Sequence, residues 1–275
     1  LAVEINDLGP AMIGSALSYH LSSFRPQIVH SFLGTIQEMR IALAVSQRYD
    51  IPILPHFTDD WPSTIYGDGQ LWGKARAVAR RLLAQILERS PLLLTIGVDM
   101  ATEFSKRYSK PTVAIGNSID ASRFVRSSSQ DSALVYAGGL HLGRGDQISR
   151  VASVIESRAS LAGLTIDIYT GTHDQGHAAQ LSKMFSCVRA MGSINPEEVV
   201  ETLARSHAAL FIESAEPGIL NYTRLSVSTK VPEYLSALSP ILAIGPSSQS
   251  SVTALRQAPQ TIYGGDGRNL ELLER

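Results

Sequence analysis

Residues 226–237 read SVSTKVPEYLSA, a run of hydroxyl side chains and a lysine at the mouth of a helical segment. A helix N-terminus presents unpaired N–H groups and the positive end of the helix dipole, so it suits an anion. Ser226, Ser228, Thr229 and Lys230 are therefore candidate phosphate ligands. Glu233 would repel a phosphate, but its carboxylate suits the hydroxyls of a sugar. Anion seat and hydroxyl acceptor together point to a nucleotide-sugar. The plain alternative is a surface helix capped by Ser226 or Ser228, with Glu233 in solvent.

Residues 134–145, LVYAGGLHLGRG, carry an apolar run into a glycine-rich turn and then a helical period. Glycines let backbone N–H groups approach a phosphate, and Arg144 can meet its charge with a planar fork. The glycine spacing is not that of a dinucleotide fingerprint. It is nearer a broken P-loop, with Gly138 and Gly143 in place but Arg144 and Gly145 where Lys and Ser or Thr should stand. Without the hydroxyl that holds Mg²⁺, an ATPase reading falls, and an ordinary strand-to-helix turn is the alternative. In HFTDDW, His56 is a candidate for proton transfer and Asp59 or Asp60 for holding sugar hydroxyls, at a strand end where α/β sheets place ligands. Adjacent carboxylates invite a metal, but they rarely point at one ion and no further ligand is evident, so the expectation is a site without metal. The plain alternatives are a satisfied polar histidine and an Asp60 cap before Trp61-Pro62.

Composition bounds the setting. The 275 residues include 24 Lys plus Arg against 25 Asp plus Glu, so no global field draws the chain to nucleic acid. With 44% hydrophobic content it can fill a substantial core of one large or two ordinary domains. A single cysteine, Cys187, excludes an internal disulfide and a cysteine-built zinc site, and fits a reducing, cytoplasmic compartment. No apolar run approaches the ~20 residues needed to span a bilayer. The segment 71–89 sets Ala75, Ala79, Leu82 and Ile86 on one face with Lys74, Arg76, Arg80, Arg81 and Arg89 around it. That basic rim is either a solvated face or a peripheral contact with an anionic membrane. Asn221-Tyr222-Thr223 matches a glycosylation sequon, which has no meaning in a cytoplasmic protein. The chain starts at Leu1 rather than at an initiator methionine, so its lack of a signal peptide carries little weight.

The elements that must position these residues follow from period. Short β-branched runs at 27–32, 51–57, 92–97, 112–115, 133–137, 165–169, 187–191, 208–212 and 241–244 alternate with helical stretches, which predicts βα units and parallel sheets. Ile36, Met39 and Leu43 share one helical face, as do Val151, Val154 and Ile155. The polar run RSSSQDS, 126–132, reads as a linker between a first domain, 1–125, and a second, 133–275. A ligand is expected in the cleft between two such domains.

In order and spacing, QIVHSF, IPILPHFTDDWP, LLLTIGVDMATEFSKRY, IGNSIDASRF, LVYAGGLHLGRG, LTIDIYTG, MGSINPEEVVETLARSHAALFIES and STKVPEYLSALSPILAIGP resemble the GT-B nucleotide-sugar glycosyltransferases. The likeness is to the retaining group called family 4, and covers 27–246. The resemblance implies two Rossmann-like α/β domains facing a cleft, an incomplete first domain, and a chain truncated at both ends. It implies hexosyl transfer from a nucleoside diphosphate-sugar to a hydroxyl acceptor on a glycan, lipid or small molecule, without metal or other cofactor, as in polysaccharide biosynthesis. Carried over by position, Arg144 grips the diphosphate and Glu233 holds the ribose, while Gly171 and Ile194 wrap the base. His56 faces the acceptor. The family's arginine five positions before Arg144 is Gly139 here, and Leu225 replaces the first of its paired glutamates, for which Glu213 or Glu216 is the substitute. A nucleotide-sugar epimerase of the same fold and a non-catalytic partner subunit are the rival readings.

Overall fold

The computed structural model describes residues 15–65, 73–125, 127 and 131–265. The chain divides into two compact units, residues 1–116 and 117–275. Residues 117–125, which the linker argument assigned to the first domain, belong to the second. Ile119 and Val125 pack into its core, the Val125 N–H donates to the Ser236 carbonyl at 2.9 Å, and Arg123 donates to the Pro196 carbonyl at 2.7 Å. Of the expected linker, residues 126 and 128–130 lie outside the described residues.

The first unit holds a four-stranded parallel sheet in the order β1-β2-β3-β4, formed by Val29–Ser31, Ile53–Phe57, Leu93–Thr95 and Thr112–Ala114. Helix α1 (Ser15–Phe24) precedes it, and α2 (Ile36–Tyr49), α3 (Trp61–Thr64), α4 (Gly73–Glu88) and α5 (Val98–Tyr108) fall between and after its strands. A capping box starts α2, with the Thr35 hydroxyl accepting from the Glu38 N–H and Glu38 reaching back to the Thr35 N–H. Asp50, left-handed at φ 49°, ends it. Its buried face of Ile36, Met39, Ala42 and Leu43 packs against α4, where Ala75, Ala79, Leu82, Leu83 and Ile86 are buried as the period required. The two residues expected to begin that helix, Leu71 and Trp72, lie outside the described residues. Arg89 leaves the expected basic rim. Its guanidinium donates to the Ser46 hydroxyl and carbonyl and to Asp50, which ties the end of α4 to the end of α2.

The second unit holds six parallel strands in the order β10-β9-β8-β5-β6-β7. They are Ala133–Ala137 (β5), Thr165–Tyr169 (β6), Val188–Gly192 (β7), Ala208–Ile212 (β8), Ile241–Ile244 (β9) and Thr261–Tyr263 (β10). Alternation splits β5, β6, β8 and β9 between two cores. Leu134 and Tyr136 join Ile148, Val151, Ala152 and Ile155 of α6 (Arg144–Ser157) on the face that also carries α7 (Gln175–Met184). Ala133, Val135 and Ala137 join α8 (Val199–Arg205), α10 (Val231–Ser236) and α11 (Ser250–Arg256) on the other, and α9 (Pro217–Thr223) follows β8. Helices on both faces explain why these strands read as continuous apolar runs. Only β10 was not legible, being a three-residue edge strand whose central Ile262 is half exposed. The chain order reverses between β5 and β8, and a doubly wound sheet opens a crevice beyond the carboxyl ends of its strands there. No helix among the described residues is long and apolar enough to cross a membrane.

Candidate functional site

Beyond β5 the chain turns through Gly138 and Gly139 before α6 begins. The Gly138 N–H donates to the Tyr169 carbonyl at 2.9 Å, and the Tyr136 hydroxyl donates to the Gly139 carbonyl at 2.6 Å, so the wall is pinned from both sides. Leu142 and Gly143 are left-handed, at φ 57° and 69°, which aims α6 back onto the sheet. Gly138 leaves room for the Lys230 side chain. Its own φ is 159°, and a Cβ there would collide with the Lys230 ammonium.

This wall bounds a cavity of about 270 Å³, completed by Tyr169, Thr170 and Gly171 after β6, Ser193, Ile194 and Pro196 after β7, and Lys230 and Glu233 at α10. Expected site residues Gly139, Gly171, Ile194, Lys230 and Glu233, distant in sequence, thus share one pocket inside the second unit. Lys230 keeps some exposed surface, but its ammonium end lies over Gly138 and 5.8 Å from the centre of the Tyr136 ring. Among the described residues it forms no ion pair and its ammonium no hydrogen bond. Burial, then the neighbouring Arg144 charge, pulls its pKa down from 10.5 to about 8, with Glu213 and Glu233 opposing. Glu233 is half-buried. Desolvation pushes its carboxyl above the usual range, while Arg123 and Lys230 pull it back.

Arg144 stands elsewhere than expected. It is buried, its Nη2 lies 3.0 Å from Glu213, itself buried, and it does not line the pocket. The carboxylate takes the guanidinium as a structural partner, which also removes Glu213 as a free ligand for the transferred sugar. The Arg144 Nε has no partner among the described residues. Glu216 lines a separate cavity of about 140 Å³ with Gly143, Gln147, Arg150 and Ser214, and Leu225 is core.

Ser226, Ser228 and Thr229 also miss the pocket. The Ser228 N–H donates to the Ser251 hydroxyl at 2.9 Å, Ser251 donates to the Ser226 carbonyl at 3.1 Å, and Thr229 is exposed. The loop satisfies its backbone against α11, which fixes the stretch that leads to Lys230 and Glu233. With six residues, α10 is too short to present the helix end that the sequence implied.

In the first unit, His56 at the end of β2 stacks on Phe32 with ring centroids 4.9 Å apart, and its Nδ1 lies 3.3 Å from His30 Nε2. Its Nε2 is buried without a partner among the described residues. Burial first, then His30, lowers its pKa, against a raising hydrogen bond with the Ile115 backbone, so the neutral ring is favoured. Asp60 is a correction. At 1% exposure it gives one oxygen to Arg107 at 2.6 Å and the other at 3.0 Å, and Ser63 donates to it at 2.9 Å. A carboxylate so enclosed is an anchor for α3 and α5 rather than a holder of sugar hydroxyls. Arg107 is 47 residues from Asp60, and no local motif links them. His30, Tyr136 and Tyr169 were likewise not singled out, because each is an ordinary strand residue until the sheet registers are known. No group of three or more His, Cys, Asp or Glu among the described residues is placed to hold a metal ion.

No protein-family model and no curated protein sequence matches the chain. Solved structures do. Anabaena HepE in complex with UDP and glucose superposes with a TM-score of 0.65 at 12% identity, over 95% of this chain and 72% of that one. The same protein in complex with UDP gives 0.62 at 12% identity, over 93% and 69%. OtsA in its apo form gives 0.59 at 10% identity, over 90% and 64%. At such identities the likeness shows the fold, and the two α/β units have the GT-B architecture.

Proposed function

We propose that this chain is a glycosyltransferase that moves a hexosyl group from a nucleoside diphosphate-sugar to a hydroxyl acceptor with retention, without a metal ion. One observation carries the reading. Lys230 holds an ammonium with no ion pair among the described residues against the Gly138 backbone, in a pocket whose other charged wall is Glu233. A partly desolvated cation without a counter-charge is costly in the free protein and becomes favourable when an anion arrives. Charge grows on the diphosphate as the glycosidic bond breaks, so a cation fixed at that point stabilises the transition state more than the ground state. Glu233 takes the ribose hydroxyls, with Gly171 and Ile194 along the base. His56, whose burial favours the neutral ring, is the candidate to accept the acceptor's proton. That HepE was solved with UDP and glucose supports this choice of donor.

Thermal shift with UDP-, GDP- and ADP-sugars tests the reading, because a ligand specific to the folded state raises its melting temperature by mass action. The expected result is a rise with one base that the matching nucleoside alone does not reproduce. Equal shifts for nucleoside and nucleoside diphosphate, or none, would sink it. The locked Arg144–Glu213 pair and the core Leu225 favour a second reading, a donor-binding partner subunit without transfer. Sugar release or transfer from the bound donor separates the two. Exposed Lys74, Arg80 and Arg81 on α4 support peripheral contact with an anionic membrane, and the lone buried Cys187 supports a cytoplasmic setting.

A further inference from the structure

The amine of Lys230 is set up as a nucleophile as well as a cation. It lies against the Gly138 backbone and 5.8 Å from the centre of the Tyr136 ring, which keeps water from one side, and its other side opens on the cavity of about 270 Å³. The neighbouring guanidinium of Arg144 cannot swing away, because Glu213 holds it at 3.0 Å. Desolvation and a fixed cation next door both disfavour a proton on an amine, and together they turn a lysine into a nucleophile. The charged groups that face Lys230 are Arg144 from α6, Glu213 after β8, Glu233 on α10 and Asp174 before α7. The three carboxylates oppose the effect, yet burial first and Arg144 second still bring the amine from 10.5 down to about 8. The other four lysines are placed differently. Lys74, Lys106 and Lys183 are exposed, and the Lys110 ammonium donates to the Ser90 carbonyl at 2.8 Å.

We propose that Lys230 is a covalent modification site, acylated by small acyl phosphates that enter the cavity, and that acylation switches the cavity off for anions. An acyl phosphate is small enough for the space, and its phosphate is drawn to the same positive end. The neutral amine attacks the acyl carbon and a C–N bond forms. The bond from that carbon to the phosphate oxygen breaks, its electron pair leaves with inorganic phosphate, and the proton shed by nitrogen passes to that phosphate or to water. A neutral amide then stands where the ammonium stood. The acylation itself needs only the amine and its cavity, whereas its effect on the donor rests on the reading above.

The test is incubation of the full chain with acetyl phosphate between pH 6.5 and 9.5, followed in time by peptide mass spectrometry, with Lys74, Lys106 and Lys183 as references in the same sample. At pH 7.5 roughly a quarter of an amine titrating near 8 is neutral, against about one in a thousand at 10.5. The lower nucleophilicity of a less basic amine offsets part of that gain, which leaves Lys230 about tenfold or more faster than the references. Its rate is expected to level off above pH 8, and saturating UDP is expected to slow Lys230 alone. Acetylated protein should bind UDP at least tenfold more weakly in calorimetry, while Lys230→Arg, which keeps the charge, should bind UDP equally before and after treatment. If Lys230 reacts no faster than the exposed lysines, the modification site is overturned, and UDP binding by untreated protein still decides the donor reading. Loss of UDP binding in treated Lys230→Arg would overturn the switch. If Lys230 reacts first but UDP neither protects it nor is excluded by its acetylation, the modification stands and the donor reading falls.

Discussion

Arg144 Nη2 lies 3.0 Å from the Glu213 carboxylate with both side chains buried, whereas Lys230, on which the Arg144 charge acts, forms no ion pair of its own among the described residues. Two cations near one turn therefore have opposite standing. Arg144 is neutralised within the fold by Glu213, and Lys230 has no such partner among the described residues.

Removing the lone cation should cost binding and not stability. Lys230→Met keeps most of the aliphatic stem and deletes a desolvated charge, so its melting temperature should match or exceed the wild type while calorimetric binding of UDP is lost. A variant that melts much earlier would place Lys230 in the structural frame instead.

Breaking the paired cation should do the reverse. Arg144→Ala leaves Glu213 buried and unpaired, which is expected to destabilise by about 3 to 5 kcal/mol in urea denaturation. Arg144→Met combined with Glu213→Leu should recover most of that loss, since it removes both charges from the same volume. If instead Arg144→Ala is as stable as the wild type and selectively loses diphosphates, Arg144 touches the ligand directly.

The pH dependence follows from the sign of the Lys230 shift. With a folded-state pKa of about 8 against 10.5 for the free side chain, the unfolded chain binds the extra proton between those values. The contribution of Lys230 to stability therefore rises across that window, is complete above it, and is lost as pH falls through 8. Ligand affinity runs the other way, because the anion needs the protonated form. UDP affinity should fall from pH 8 upward with a slope approaching one proton per ligand. A flat affinity between pH 8 and 9.5 in the wild type would contradict the assignment.

Glu233→Gln removes a carboxylate whose burial already disfavours its charge, so little change in melting temperature is expected. Ribonucleotide binding should weaken. The 2′-deoxy and 3′-deoxy donors should bind the wild type more weakly and lose most of that penalty in the variant, a cycle that isolates the contact from general damage. An unchanged preference for ribose in Glu233→Gln would leave Glu233 as a helix residue only.

Much of the fold was determined locally. Nine of the ten strands among the described residues announce themselves as short apolar runs, five of them in the second sheet, and α2 and α4 show their buried faces in the helical period. The candidate Lys230 and Glu233 were also legible, since cation and carboxylate stand three residues apart beside a helix start. What tertiary structure decided was which charges are free. Arg144 reads like Lys230 until β8 brings Glu213 against it, and Asp60 reads like a ligand until α5 brings Arg107. The sequence shows the hydroxyls of Ser226 and Ser228, but only the fold shows that α11 holds the backbone on which they stand and that neither lines the pocket. Residue type and local spacing encode periodicity and propensity, which are short-range. Whether a charge is paired depends on partners 69 and 47 residues away for Arg144 and Asp60, and only the packing of the sheets brings those partners into reach.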